Sequence, residues 1–149
     1  MTGDDRLRLI ALDADDLAIV SALVQDAVLK VGEISWMPRQ QRFALAMNRF
    51  AWEAPRLPGR RREYQRRRAV LHFERVGSAR STGLDPGAAD TVLELLAVRF
   101  EPQENPSGHV LLDFAGGATI SLSVECLEAQ LADLGPAWST PHAPQHSQA

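Results

Sequence analysis

Short runs in which apolar and polar residues alternate recur along this chain, and they constrain its fold more than any other feature. In residues 42–52 the apolar Phe43, Leu45 and Met47 occupy every second position, and residues 119–124 repeat the pattern. A period of two places such side chains on one face of a β-strand. Stretches with glycine or proline separate the runs, so we predict antiparallel strands joined by hairpins.

Two other segments have the period of an amphipathic helix. Residues 14–26 follow Asp13, a residue type that caps helix N-termini, and their apolar side chains recur at helical spacing. Residues 125–134 carry leucines three and four positions apart, which would form a buried stripe, and glycine then proline is typical of a helix end. We therefore predict a helix near each end of the chain.

The predicted order is one strand, a helix, five or six antiparallel strands and a second helix. Strand runs flanked by helices are typical of the α+β class and not of a parallel βαβ sheet. We predict a single domain in residues 1–138, in which a curved antiparallel sheet of about six strands carries both helices on one face. A pleckstrin-homology-like arrangement, a strongly bent sheet capped by the C-terminal helix, is the alternative. Residues 139–149 are polar and contain proline, so we expect a disordered tail.

Charge is strongly segregated along the chain. Residues 56–68 contain seven arginines and one glutamate, a net charge of +6, although the whole chain carries −3. After Arg99 there is no lysine or arginine, so the last third is purely acidic. Because residues 54–68 also contain two prolines and a glycine, we expect an exposed, mobile loop that buries no face.

The arginine-rich segment is the main candidate for a binding surface. Arginine forms bidentate contacts with phosphates and carboxylates, and the tyrosine of the segment can stack on a base. Three interpretations stay open: a solvated insertion, a contact with RNA or another phosphate-bearing partner, or a contact with the acidic last third of another subunit in a homo-oligomer. The candidate contact residues are Arg60, Arg61, Arg62, Tyr64, Arg66, Arg67 and Arg68.

Cysteine content and hydropathy exclude several classes of protein. The single cysteine, Cys126, cannot form an internal disulfide, and no cysteine–histidine cluster has the spacing of a zinc site. No run of about 18 apolar residues is present, so no membrane span is predicted. We expect a cytoplasmic protein that carries neither a metal ion nor another cofactor.

No recognised catalytic pattern is present. His72 and His109 could act with Glu74 or Asp113 as acid–base or metal-binding groups, but neither histidine has a metal-binding spacing. We interpret both as residues of the sheet surface. Cys126, at the start of the predicted last helix, could be a nucleophile if a distant histidine served as its base.

Two further patterns have structural explanations. The acids Asp13, Asp15 and Asp16 lack the glycine and closing glutamate of a calcium-binding loop, and helix capping accounts for them. Gly116 and Gly117 belong to no phosphate-binding motif, and paired glycines between two strands are typical of a hairpin turn.

Three longer stretches resemble a known family. They read LIALDADDLAIVSALVQDAV (residues 9–28), QRFALAMNRF (residues 41–50) and VECLEAQLADLGPAW (residues 124–138). Together they resemble the proteobacterial domain-of-unknown-function family 2948, over most of the chain apart from the arginine-rich segment and the tail. The resemblance implies a small cytoplasmic bacterial protein, and it implies no activity, cofactor or catalytic residue.

These observations favour a non-catalytic interaction or accessory module. Such a module would contact another macromolecule through its sheet surface or through the arginine-rich segment. The alternatives are an RNA- or phosphate-associated protein that acts through that segment, and an enzyme whose site is assembled from residues distant in sequence.

Overall fold

The computed structural model describes residues 6–50, 64–135 and 138–140, which contain one α-helix and eleven β-strands. All strand pairs among them are antiparallel, which confirms the predicted α+β class. The helix, α1, covers Ala14–Val24. The strands are β1 (Arg8–Ala11), β2 (Val28–Lys30), β3 (Ile34–Met37), β4 (Arg42–Phe50), β5 (Tyr64–Phe73), β6 (Val76–Thr82), β7 (Val92–Pro102), β8 (Gly108–Phe114), β9 (Thr119–Val124), β10 (Ala129–Asp133) and β11 (Trp138–Thr140).

The strands form one sheet in the order β1, β10, β5, β4, β2, β7, β8, β9 and β6. Two short strands lie beside this path, since β3 also pairs with β4 and β11 also pairs with β5. We call β1, β10, β5, β4 and β3 the first half of the sheet, and β7, β8, β9 and β6 the second half. The three-residue strand β2 connects the two halves, because it pairs with β4 on one side and β7 on the other.

A single hydrophobic core joins the two halves. It contains Leu45 and Leu71 from the first half and Leu112 and Leu122 from the second, all fully buried. The one described helix packs chiefly on β7, β1 and β4, so it does not cover the inner faces of β8 and β9. Because both halves contribute to this one core, their inner faces face the same buried interior.

The first predicted helix is confirmed, together with its cap. The Asp13 carboxylate accepts a hydrogen bond from the backbone N–H of Asp16 at 2.8 Å, which satisfies one of the free donors at the start of α1. Leu17, Val20 and Val24 form the buried stripe of the helix. The predicted hairpin at Gly116 and Gly117 is also confirmed, since both residues have positive φ angles between β8 and β9.

The second predicted helix is wrong. Residues 129–133 form the strand β10, which lies between β1 and β5. Ala129, Leu131 and Asp133 are buried and the residues between them are half-buried, which is a period of two. Leucines four positions apart fit either period, and pairing on both sides gives β10 the backbone hydrogen bonds that a helix would have formed locally. Leu134, expected in the buried stripe, is 53% exposed.

This correction changes the predicted architecture. Within the described residues the sheet has eleven strands instead of about six, and a helix lies near only one end of the chain. The pleckstrin-homology-like alternative is wrong for the same reason, because the segment assigned to its capping helix is a strand of the sheet.

The predicted exposed loop of residues 54–68 is wrong for its last five residues. Residues 64–68 begin β5 and pair with β4 and β11. Ser139 and Thr140, which the sequence placed in a disordered tail, belong to β11. The rest of the predicted tail and loop lies outside the described residues, as do the candidate contact residues Arg60, Arg61 and Arg62.

Candidate functional site

The arginine-rich segment enters the core at one end of the β4–β5 pair. Arg49 on β4 and Arg67 on β5 are cross-strand partners, and both side chains are buried on the inner face. Like charges that lie opposite each other on neighbouring strands repel, so this pairing requires a compensating anion. Asp133 of β10 supplies one, and its side chain is fully buried.

The carboxylate of Asp133 contacts both arginines. Arg49 donates from Nε to Oδ1 and from Nη2 to Oδ2, each at 2.9 Å, in the bidentate geometry that gives the strongest arginine–carboxylate pairs. Nε of Arg67 lies 3.6 Å from Oδ2. The backbone N–H of Leu7 donates to the same oxygen at 2.8 Å. We call Arg49, Arg67 and Asp133 the buried ionic cluster, and it links β4, β5 and β10.

The two neighbours of Arg67 point to the opposite face of β5. Arg68 donates to Oδ1 of Asn48 at 3.1 Å and forms an ion pair with Glu33. The guanidinium of Arg66 lies over the Phe50 ring, 4.4 Å from its centroid, and burial lowers the pKa of Arg66. Three predicted contact residues, Arg66, Arg67 and Arg68, are therefore engaged within the fold, and Tyr64 begins β5 beside them.

A polar pocket of about 400 Å³ opens at the other end of the β4–β5 pair. The carboxylate of Glu74 receives two partners there, since Nε of Arg42 donates to its Oε2 at 2.7 Å and Nε2 of His72 lies 3.3 Å from the same oxygen. Arg75 and Glu128 form another ion pair at 3.5 Å. We call this site the corner pocket, and its lining residues are Gln40, Gln41, Arg42, His72, Glu74, Arg75 and Glu128.

The turns around the corner pocket hold two residues in left-handed conformations. Gln41 has a φ of 55° and Arg75 a φ of 60°, in the region that favours glycine. The backbone N–H of Val76 ties the two turns together by donating to the Gln41 carbonyl at 2.9 Å. Such conformations cost free energy and recur at functional sites, so the pocket is a candidate site on backbone grounds as well.

Of the two histidine–carboxylate pairs considered beside the sheet-surface interpretation, the structure brings one together. His72 contacts Glu74 inside the corner pocket. His109 lies opposite Glu101 in the β7–β8 pair, while Asp113 accepts a hydrogen bond from Nε of Arg99 at 2.7 Å. The hydrogen bonds that Arg99 donates to Asp113 are the largest reason that the pKa of Arg99 is raised.

Cys126 does not begin a helix, contrary to the sequence expectation. It is a half-buried free thiol in the connection between β9 and β10. This connection reaches the corner pocket through Glu128, whose backbone carbonyl accepts a hydrogen bond from the N–H of Glu74 at 2.9 Å. The fold thus brings Cys126 to the same corner of the molecule as His72, although Cys126 does not line the pocket.

Small apolar side chains cover the first half of the sheet on the face opposite the core. Val70 pairs in register with Ala46 on one side and Ala132 on the other, so the three form one row across β4, β5 and β10. Ala44 lies two residues before Ala46, and all four are half-buried. We call these four residues the alanine face. Polar residues border it at both ends, namely His72 and Gln130 at one, and Asn48, Arg68 and Glu33 at the other.

Residues 7–146 match the family described as a protein of unknown function (DUF2948). The chain belongs to the DUF2948 family. This confirms the resemblance carried by the three sequence stretches, and the matched range includes the buried ionic cluster, the corner pocket and the alanine face. No curated protein and no solved structure matches the chain.

Among the residues that the structure describes, no group of three or more histidine, cysteine, aspartate or glutamate side chains could hold a metal ion. Over the same residues, no helix has both the length and the apolar character needed to span a membrane.

Sequence patterns did not identify Asp133 as a central residue of this DUF2948 chain. A signal was available, because Asp133 continues the two-residue period of Ala129 and Leu131. A charged residue at a buried strand position requires a buried partner. The partners come from β4 and β5, far away in the sequence, so spacing alone did not identify them.

Proposed function

We propose that this chain is a non-catalytic interaction module of the bacterial cytoplasm that binds a protein partner on its alanine face. The observation that carries the proposal is the arrangement of that face, which has small apolar side chains at its centre and polar side chains at both ends. An apolar centre within a polar rim is the general anatomy of protein–protein interfaces. Side chains as small as Ala46 let a partner approach the sheet closely.

The corner pocket would supply specificity at one end of the interface. Its ion pairs hold Arg42, His72 and Glu74 in place before a partner binds, which lowers the entropy lost on association. The pocket presents both signs of charge, so it fits a polar protein surface better than a uniformly charged polymer. The free thiol Cys126 agrees with a reducing compartment.

The two alternatives have less support. Binding of RNA or another polyanion would depend mainly on Arg60, Arg61 and Arg62, because the arginines of β5 are engaged by Asp133, Glu33 and the Phe50 ring. A catalytic site would use the His72–Glu74 contact. The Glu74 oxygen in that contact already accepts a hydrogen bond from Arg42, so it is engaged within the fold.

Affinity capture from a bacterial lysate tests the proposal when three baits are compared. The baits are the wild type, Ala46→Glu at the centre of the alanine face, and Ser121→Glu as the matched control. Ser121 is also half-buried and on the outer face, but on β9 in the second half of the sheet. We expect the wild type and Ser121→Glu to capture a protein that Ala46→Glu does not capture. The reason is that a buried unpaired carboxylate at an interface costs several kcal/mol.

The same experiment separates the alternatives. A protein captured equally by all three baits would contradict the proposed interface. The polyanion alternative would be supported instead by capture that disappears after nuclease treatment or falls steeply with added salt. A variant with Arg60, Arg61 and Arg62 changed to glutamine should then lose the captured molecule. Thermal unfolding of each bait confirms that it is folded.

A further inference from the structure

The two strands at the ends of the main path of the sheet differ in how well they are protected against pairing with another strand. In the part of the chain that the structure describes, these strands are β1 and β6, while the short strands β3 and β11 also pair on one side only. Proteins usually guard an exposed edge with charges, proline or a β-bulge. The edge β6 has such guards, because Arg80 is exposed on it and its register is irregular between Val76 and Ser78.

The edge β1 also carries an exposed charge, Arg8, but unlike β6 it exposes large apolar side chains as well. Ile10 on β1 is 59% exposed, and Leu12, the first residue after β1, is 62% exposed. These are two of the six large apolar side chains that are exposed in the described residues, and none of the six lies on β6. An exposed apolar edge strand is a surface that favours pairing with another strand.

The backbone of β1 is oriented for such pairing. The Leu7 carbonyl accepts a hydrogen bond from the N–H of Asp133 at 2.9 Å, so the alternation of an antiparallel ladder directs Leu7, Leu9 and Ala11 toward β10. The N–H and C=O groups of Arg8 and Ile10 therefore point away from β10. An added strand would bond to these groups and cover the Ile10 side chain at the same time.

Charge along β1 identifies the chemistry of a suitable partner strand. Arg8, at the start of β1, is exposed, while the exposed acids Asp13 and Asp15 follow its end. Suppose that a partner strand also has a basic residue at its start and acids after its end. If this strand paired antiparallel to β1, the basic end of each strand would lie beside the acidic end of the other. A second copy of β1 meets this requirement, and its apolar residues would meet those of the first copy.

We propose that two copies of this chain form a symmetric dimer by antiparallel pairing of their β1 strands, with the two-fold axis beside Ile10. Ile10 then contacts Ile10 of the second copy, and Arg8 lies beside Leu12 and close to Asp13 and Asp15 of the second copy. The two sheets join into one, which aligns the two alanine faces on one surface. The inference rests on the edge of β1 and does not require the proposed partner binding.

Sedimentation velocity over a concentration series tests the dimer with the full chain. We expect the wild type to approach the dimer mass as concentration rises. Ile10→Lys should raise the dimer Kd by roughly 100-fold, because two like charges would meet at the axis. Ile19→Lys is the matched control, since Ile19 is 57% exposed but lies on α1 and not on the strand edge. It should leave the dimer intact.

A charge exchange tests the register and symmetry. Arg8→Asp should raise the dimer Kd by roughly 10-fold, and adding Asp15→Arg to the same chain should restore dimerisation, because the two-fold axis places each residue near the other. Circular dichroism establishes that each variant is folded. The proposal is overturned by a wild type that stays monomeric into the millimolar range, by an equal effect of Ile10→Lys and Ile19→Lys, or by a charge exchange that does not restore the dimer.

Discussion

The two ends of the β4–β5 pair hold similar ionic groups in opposite environments. In the buried ionic cluster, the side chains of Arg49 and Asp133 have no exposure to solvent, whereas Arg42 and Glu74 of the corner pocket are 47% and 20% exposed. Exposed pairs contribute little, because water solvates the separated charges well. A buried carboxylate has lost that solvation and depends on its guanidinium partners. The same pairing therefore stabilises the fold at one end and stays accessible to a partner at the other.

The buried end also shows what sets the register of β5. The arginine run gives β5 three successive cations, and only Arg67 points inward to Asp133. A register slip by one residue would place Arg66 or Arg68 beside Asp133 in its stead, and it would turn the buried Leu71 and Phe73 out of the core. We therefore infer that the alternating apolar residues specify the register of β5, and that Asp133 compensates the arginine that faces inward.

The largest expected effect comes from removing the charge of Asp133. Asp133→Asn keeps the size of the side chain but leaves Arg49 and Arg67 without this anion, so the free energy of unfolding should fall by about 3–5 kcal/mol. Urea denaturation followed by circular dichroism measures the change. The matched control is Asp113→Asn, which removes an exposed partner of Arg99 and should cost no more than about 1 kcal/mol. Equal losses in the two variants would contradict the comparison between buried and exposed pairs.

Much of the fold was predictable because the information was local. The strand β4, the cap at Asp13 and the hairpin at Gly116 each follow from residues close together in the sequence. The strand β10 was not predictable in this way, because its leucines fit a helix and only its pairing with β1 and β5 decides between the two. The general lesson is that a segment with two compatible periods is settled by tertiary contacts.

The features of the candidate site also divide into those that local sequence predicts and those that depend on tertiary contacts. The proximity of His72 and Glu74 was predictable, since the two residues are two positions apart in the sequence, although Glu74 lies just beyond the end of β5. The burial of Arg67 was not, because a run of arginines predicts a solvated segment unless an acid from elsewhere reaches it. That acid is Asp133, and the pairing requires three strands to be assembled first.

The backbone at the corner pocket offers the next largest effect. Gln41 is in a left-handed conformation with a φ of 55°, which glycine adopts without steric cost. Gln41→Gly should therefore raise the free energy of unfolding by about 0.5–1 kcal/mol. The adjacent Gln40→Gly is the control, and it should lower stability because it only adds backbone freedom to the unfolded chain. If both substitutions destabilise the protein equally, the pocket stores no strain at Gln41.

A smaller effect should follow from breaking the exposed ion pair of the same pocket. Glu74→Gln should lower the free energy of unfolding by about 0.2–1 kcal/mol in low salt, because Arg42 and His72 lose a partner that water partly replaces. Molar sodium chloride should remove most of this difference, since it shortens the screening length to about 3 Å. The cost of Asp133→Asn should persist under the same conditions. If the stability loss of Glu74→Gln did not change with salt, screening by solvent would not determine the strength of this ion pair.

The smallest effect concerns an acid whose closest charged partner is another acid. Burial raises the pKa of Glu94 above its ordinary value of 4.5, and the hydrogen bond and charge of Asp26 add to the shift. A raised pKa means that ionisation of Glu94 opposes folding. Glu94 therefore leaves the free energy of unfolding unchanged at pH values below 4.5, and it lowers that free energy above the shifted pKa. Glu94→Gln should therefore raise the Tm slightly at neutral pH and leave it unchanged in acid. The exposed Glu101→Gln is the control. If Glu94→Gln raised the Tm by the same amount at every pH, the loss of the Glu94 charge would not be the cause of the gain.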